Sequence, residues 1–319
     1  DLSPWRGAQP GLLWFARRIS NPAAAVDLEA YVDLVLHGSD KEQRFFSFSM
    51  LWWPDWTKAD VTKAPPPLSW SGGGPVPVAL FRGSWDDPNT MFVGVKGGVA
   101  NANHAHMDNG TFVLTANGVR WVQDLGGEHY EPIRKAGFDL FRMRQGSDRW
   151  KLLRHHNLYH NTITLDRQEH LIEGQANFLK FEAEVLAERV GRAVVDLSET
   201  LRLPEDGAIR TVTFDSMNQV VRVEDRLRKV KRGTQVDWTL MVFGDEKQLS
   251  DDGRSVTLRH DGHALQIDLL EPEEVRFQMA PAVGKHPAEA ENPGIDRLWI
   301  EFESNGRPTK IDVELTVVE

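Results

Sequence analysis

Cysteine is absent from all 319 residues, which excludes disulfides, thiolate metal ligands and thiol nucleophiles. Tyrosine is scarce. Tyr31, Tyr130 and Tyr159 stand beside 11 Trp and 15 Phe, so chemistry that needs a phenol has three positions to draw on. Positive charge is in deficit: 37 Lys and Arg against 47 Asp and Glu leave a net charge of −10. A general nucleic-acid binder needs the reverse, a basic face for phosphates. No apolar run approaches the roughly 20 residues of a membrane-spanning helix. The chain opens on Asp1 rather than Met and is read as a processed or cut piece of a longer protein, with any targeting signal out of view.

What is present falls into two regimes, a helical segment over 1–64 and a β-rich part over 65–319. The run Leu12 to Arg18 carries a broad apolar helical face. Leu28, Tyr31, Val32, Val35 and Leu36 predict a second helix, and Phe45 to Leu51 a third that Pro54 ends. Three such helices cannot enclose a core alone, so they read as the tail of a larger helical domain. Pro65-Pro66-Pro67 and Gly72-Gly73-Gly74 predict a linker. Beyond it the period drops to two, as in Met91 to Val95, Thr111 to Leu114, Val119 to Val122, Arg210 to Phe214, Val236 to Val242 and Ile311 to Val318. Asn117-Gly118 marks a hairpin. More than ten short strands in about 250 residues predict a mainly β fold, a large antiparallel β-sandwich.

Histidines cluster: six of the 11 lie between 104 and 160. His104 and His106 sit at i and i+2, which on a strand puts both on one face. Asp124 follows at the far end of the next hairpin strand, and His160 opens a further strand candidate. His106, Asp124 and His160 together form a candidate divalent-metal site, zinc being the first choice. The scattered His129, His155, His156 and His170 read as hydrogen-bonded packing, and Asp108 as a turn residue capping local N–H groups. Between Glu131 and Arg154 seven basic residues, Arg149 among them, stand against three acidic ones. That stretch suits an anionic substrate, since Arg holds a carboxylate bidentately, and equally suits a solvated surface.

Taken together, Asn103-His104-Ala105-His106-Met107-Asp108-Asn109-Gly110-Thr111-Phe112, Trp121 to Gly126 with Tyr130, Arg149-Trp150, Arg154, His160-Asn161-Thr162 and Glu291 to Gly294 resemble the heparinase II/III-like polysaccharide lyases. The resemblance covers the family's C-terminal β-sandwich, with Pro10 to Pro54 resembling the last helices of its (α/α) toroid. It implies zinc at His106, Asp124 and His160, chiefly organising the sandwich face. It implies His104 and Tyr130 in catalysis, Arg149 and Arg154 toward substrate, and β-elimination on an acidic, uronate-containing polysaccharide. Periplasmic or secreted location follows as an expectation from that substrate. The family's principal catalytic Tyr, with an Asn and a His, belongs to the upstream toroid and has no match here. The chain alone is therefore expected to be inactive. Tyr159 stands where the family usually has a small residue, and Leu140 to Ser147 resembles extra sequence. Two other readings stay open: a non-catalytic zinc-stabilised carbohydrate-binding sandwich, and a cupin-like iron oxygenase or isomerase, whose facial triad also uses His-x-His and a carboxylate.

Overall fold

A computed structural model describes residues 10–20, 48, 51–52, 67–183 and 190–318. The chain divides into two compact units, Asp1–Pro67 and Leu68–Glu319. In the first, helix α1 (Pro10–Ile19) buries Leu13 and Ala16 and leaves Trp14, Phe15 and Ile19 exposed. Arg17 and Arg18 fill its last turn, where cations meet the carbonyl end of the helix dipole. The second and third helices expected from the sequence lie almost wholly outside the described residues.

The second unit is built of strands. In chain order they begin with β1 (Ser69–Gly72), β2 (Val78–Arg82), β3 (Phe92–Lys96), β4 (Phe112–Ala116), β5 (Val119–Val122) and β6 (Ile163–Leu165). Next come β7 (Asn177–Glu182), β8 (Val190–Asp196), β9 (Ala208–Asp215), β10 (Val220–Leu227) and β11 (Gln235–Phe243). The last six are β12 (Glu246–Leu249), β13 (Ser255–His260), β14 (His263–Glu271), β15 (Gln278–Pro281), β16 (Ile295–Glu303) and β17 (Thr309–Val318). One sheet runs β1-β2-β3-β4-β5-β11-β16-β15 with β6 also on β11, and the other β12-β13-β14-β17-β10-β9-β8-β7. All the pairings are antiparallel. The expected mainly β antiparallel sandwich is the fold observed.

One core joins the sheets, with Phe81, Trp121 and Trp238 from the first meeting Phe214, Val223 and Leu315 from the second. Period-two burial produces it: in β9 the residues Ala208, Arg210, Val212 and Phe214 alternate with half-buried ones. Asn117 (φ 55°) and Gly118 (φ 74°) both take the left-handed conformation that a two-residue hairpin turn requires. Sequence reading missed β1, β8, β12 and β15. The first includes Gly72, so the expected glycine linker is partly an edge strand paired with β2. In β11 both faces are buried. Val236, Trp238, Leu240 and Val242 point into the core, while Met241 on the outer face packs with Leu125 and Leu153. The segment after β5 therefore crosses the outside of the first sheet.

An ion pair sits inside this core. Arg210 of β9 and Asp225 of β10 are cross-strand partners and fully buried. Arg210 Nε and Nη2 donate to the two Asp225 oxygens at 2.9 and 2.7 Å, and Trp238 Nε1 donates to Asp225 Oδ2 at 2.7 Å. The remaining nitrogen, Nη1, donates to the carbonyls of Gly110 (2.8 Å) and Asn161 (2.5 Å). Both receiving groups belong to loops hung from the other sheet, so this guanidinium bolts those loops to the sandwich interior. Arg210→Met, which leaves Asp225 buried without its cation, is expected to cost about 3–5 kcal/mol in urea unfolding. An ordinary buried pair recovers when both partners become apolar, but Arg210→Met/Asp225→Leu is expected to stay destabilised because two carbonyls and the Trp238 N–H lose their partners. Recovery to wild-type stability contradicts this reading.

Candidate active site and metal centre

The loop from 97 to 111, between β3 and β4, carries the His-x-His pair, so the pair is not on a strand as the sequence suggested. His104 takes a left-handed conformation (φ 61°), and the two rings serve different neighbourhoods. His104 Nδ1 lies 3.1 Å from Tyr130 Oη, with both residues exposed. Tyr130 opens a short helix, α2 (Tyr130–Lys135), and its ring meets the edge of Phe141. His106 is buried, its ring centre 4.5 Å from that of His155 and 5.5 Å from that of His160.

The other two expected ligands approach from separate segments. Asp124 lies two residues past β5, where its Oδ1 accepts from Gly126 N (3.3 Å). His160 follows a 3₁₀ turn, Asn157–Tyr159, rather than opening a strand, and β6 begins three residues later. Its Nδ1 lies 3.2 Å from Asp124 Oδ2, and its Nε2 is buried without a partner. The adjacent Asn161 is fully buried. Its amide donates to Phe112 O (2.7 Å) and Gln123 O (2.6 Å), and its Oδ1 accepts from Met241 N (2.6 Å). One side chain thus ties the His160 segment to β4, β11 and the residue before Asp124. Gly110 meets the same need for closeness, since a Cβ there would lie 2.6 Å from Leu197.

Both arginines expected to face substrate turn out to be braces. Arg149 is buried and donates to Leu140 O (2.9 Å) and Ala105 O (2.7 Å), so it holds the residue between His104 and His106. Arg154 donates to Gly127 O (2.8 Å), Glu291 O (3.0 Å) and Asn292 Oδ1 (2.9 Å), which gives the Glu291 to Gly294 segment its physical task. Asp108 departs from expectation as well. Its carboxylate pairs with Lys96 of β3 instead of capping its own turn.

Electrostatics separates the histidines. Burial, then the charges of His160 and His155, holds His106 well below the usual imidazole range. Burial likewise takes His155 and His170 down to about 3. His160 moves the other way: burial opposes its charge, but Asp124 outweighs that by its charge and hydrogen bond. Asp124 is pushed up by burial and pulled further down by His160, His106 and the Gly126 N–H, ending well below the usual carboxylate range. The outcome is an ionised Asp124, a neutral His106 and a His160 whose proton Asp124 favours, a proton that a metal ligated there would have to displace.

The donor types, two imidazoles and a carboxylate, suit a small divalent cation, but the donor atoms of His106, Asp124 and His160 do not all lie within 4.8 Å of one another. Two imidazoles on one tetrahedral zinc, with bonds of about 2 Å, put their ring centres about 5 Å apart and a neighbouring nitrogen and oxygen about 3.3 Å apart. His106 and His160 stand at 5.5 Å, and the His160–Asp124 atoms at 3.2 Å. The group among the described residues whose donor atoms do converge lies elsewhere. Asp245, His260 and Asp261 bring donor atoms within 4.8 Å of one another at the β13–β14 turn. There His260 Nδ1 and Nε2 each face a carboxylate, at 2.7 and 3.5 Å. Both carboxylates are exposed, and exposed acidic groups gather in this way without a metal.

The chain belongs to the heparinase II/III-like family, whose C-terminal domain model matches residues 85–316. Solved structures share the fold. The heparan sulfate lyase HepC from Pedobacter heparinus superposes with a TM-score of 0.61 at 18% identity, over 94% of this chain and 42% of that one. A heparinase III gives 0.64 at 15% identity, over 89% and 43%. This chain thus spans about two fifths of the length of those lyases. No curated protein sequence matches it.

The buried neutral histidines set the acid stability. His155 and His170 stay unprotonated in the fold down to about pH 3, whereas in the unfolded chain they protonate near 6.5. The unfolded state binds more protons below 6.5, so stability falls as pH falls. Each histidine contributes up to about 1.4 kcal/mol per pH unit. Urea unfolding between pH 6 and 4 is expected to lose about 2–3 kcal/mol per unit, and a flat profile contradicts the assignment.

Proposed function

We propose that this chain is the C-terminal part of a polysaccharide lyase that cleaves a uronate-containing polymer by β-elimination. On this reading, residues 1–64 end an upstream (α/α) toroid and residues 65–319 form the β-sandwich. The observation that carries the proposal is the exposed His104–Tyr130 pair at 3.1 Å, whose histidine stands two residues before the buried His106. Acid–base chemistry needs an accessible phenol and imidazole within hydrogen-bond reach of each other and of substrate. Among the three tyrosines, Tyr130 stands alone in pairing with a motif histidine through its hydroxyl among the described residues.

In the elimination a base takes the proton at C5 of the uronate. The electron pair forms the C4–C5 double bond, the C4–O bond breaks, and an acid returns a proton to the departing glycosidic oxygen. His104 and Tyr130 are the sandwich's share of those proton transfers, with partners supplied from the toroid. Cations in the 131–154 stretch offset the substrate's charge: Arg134, Arg142 and Arg144 are exposed and outside the bracing network. Arg149 and Arg154 act at one remove, fixing the His104 loop and the floor beside it. His106, Asp124 and His160 would hold a divalent metal, with zinc proposed, which would lock three separate segments behind the catalytic pair. The polymeric acidic substrate lies outside the cytoplasm, so export to the periplasm or beyond belongs to the same proposal.

Tyr130→Phe and His104→Ala, made in the lyase that carries this chain with its toroid, are each expected to lower kcat at least 100-fold. Appearance of the unsaturated product, which absorbs in the ultraviolet, is the measurement. Activity within threefold of wild type for both variants would falsify the catalytic assignment. Metal content is read separately: about one zinc per chain by elemental analysis, lost in His160→Ala and Asp124→Asn, is the expected result. Wild-type protein without metal after purification in zinc contradicts the ligand assignment.

A further inference from the structure

Leu140 to Ser147 contains no strand or helix, yet its backbone is held at alternate carbonyls. Arg149 Nη1 donates to Leu140 O (2.9 Å), Ser147 Oγ to Arg142 O (2.6 Å) and Trp150 Nε1 to Arg144 O (2.8 Å). All three donors belong to buried residues. Two apolar anchors complete the fixture: Leu140 packs with Ile133 and Leu152, and Met143 packs against the cluster of Met107 and Trp150. Irregular backbone tied in this way holds one shape.

The aromatic residue of this rigid loop is nevertheless turned out. Phe141 is 63% exposed, and its ring centre stands 5.7 Å from that of Tyr130 with the planes at 81°. Tyr130 in turn carries its hydroxyl 3.1 Å from His104 Nδ1. Phe141, Tyr130 and His104 thus form one accessible run. One side chain sets its spacing: Arg149 holds both Leu140 O and Ala105 O, the neighbours of Phe141 and of His104. Arg142 and Arg144 are exposed on the same loop. The acids at the loop's two ends are occupied, Asp139 by the Phe141 N–H (3.2 Å) and Asp148 by Lys151 (2.7 Å).

A flat apolar face with cations beside it complements an acidic sugar. The pyranose turns its C–H bonds toward the electron-rich face of the ring, and its acidic group meets a guanidinium. We propose, resting on the lyase reading above, that Phe141 is the platform on which one sugar residue of the polymer stacks. That residue adjoins the one opened at His104 and Tyr130, and Arg142 and Arg144 receive its charge. Because the loop is already fixed, binding orders little that is not ordered beforehand. The stacking is the same before and during the elimination, so it acts on affinity and not on proton transfer.

The test uses the lyase that carries this chain with its toroid, on heparan sulfate, chondroitin sulfate, hyaluronan and alginate in turn. Phe141→Ala is expected to raise KM about tenfold while kcat stays within about threefold of wild type. Phe141→Trp, which restores a flat face, is expected to return KM to within about threefold, whereas Phe141→Leu, apolar but not flat, stays weak. Affinity for uncleaved polymer is read by calorimetry in the Tyr130→Phe background, where adding Phe141→Ala is expected to weaken binding about tenfold. Unchanged affinity and KM in Phe141→Ala overturn the platform and leave the lyase reading standing. A lowered melting temperature with unchanged affinity also overturns it, and assigns Phe141 to packing against the toroid. Weakened binding in Phe141→Ala, with no unsaturated product from wild type, supports the platform and overturns the lyase reading. Wild-type protein that binds none of these polymers overturns both.

Discussion

A single guanidinium, that of Arg210, connects the interior of the sandwich to the loops that carry the clustered histidines. Asp225 neutralises it, Trp238 fixes Asp225, and the one remaining arm holds the carbonyls of Gly110 and Asn161. A charge this deep is costly to desolvate, and it is tolerable because every nitrogen finds an acceptor. The benefit is geometric. The 97–111 loop and the His160 segment are irregular backbone, and irregular backbone holds a position only when its polar groups are tied to something rigid. Asn161 continues the same logic outward, joining three neighbouring segments through one amide.

On that rigid base the site divides into two layers of different character. The inner layer is buried: His106, His155 and His160 crowd together, and burial keeps all but His160 neutral. Crowded imidazoles repel one another when charged, so the ionised Asp124 is what makes the group tolerable. The outer layer, His104 with Tyr130, is exposed to solvent. The inner layer is packed and the outer layer is accessible. Arg149 belongs to both, since it braces Ala105 between the two histidines of the motif.

The fold was largely legible because period-two burial and the Asn117-Gly118 turn are local signals. The strands that escaped notice, such as β12 with Glu246-Lys247-Gln248-Leu249 and β15 with Gln278 to Pro281, are short and mostly polar. They become strands only because a neighbour offers its edge. The histidine cluster was legible too, but its geometry was not. His104 and His106 were expected to share a face, yet a left-handed turn at His104 sends them to different partners. Asp108 shows a similar limit: its turn position is written locally, while Lys96, its actual partner, sits on β3. Arg210 did leave a signal, a charged residue at an inward-facing place in an otherwise apolar alternation. Only the register with β10 shows that Asp225 stands opposite it.

The sequence by itself determined the class of fold, the family and the residue types available for chemistry, because alternation, turn signals and a contiguous motif are encoded within a few residues of one another. The tertiary structure alone decided which arginines are braces, which histidines stay neutral, and which tyrosine meets an imidazole. Those outcomes depend on burial and on contacts between segments tens of residues apart, and neither quantity exists until the two sheets have closed on each other.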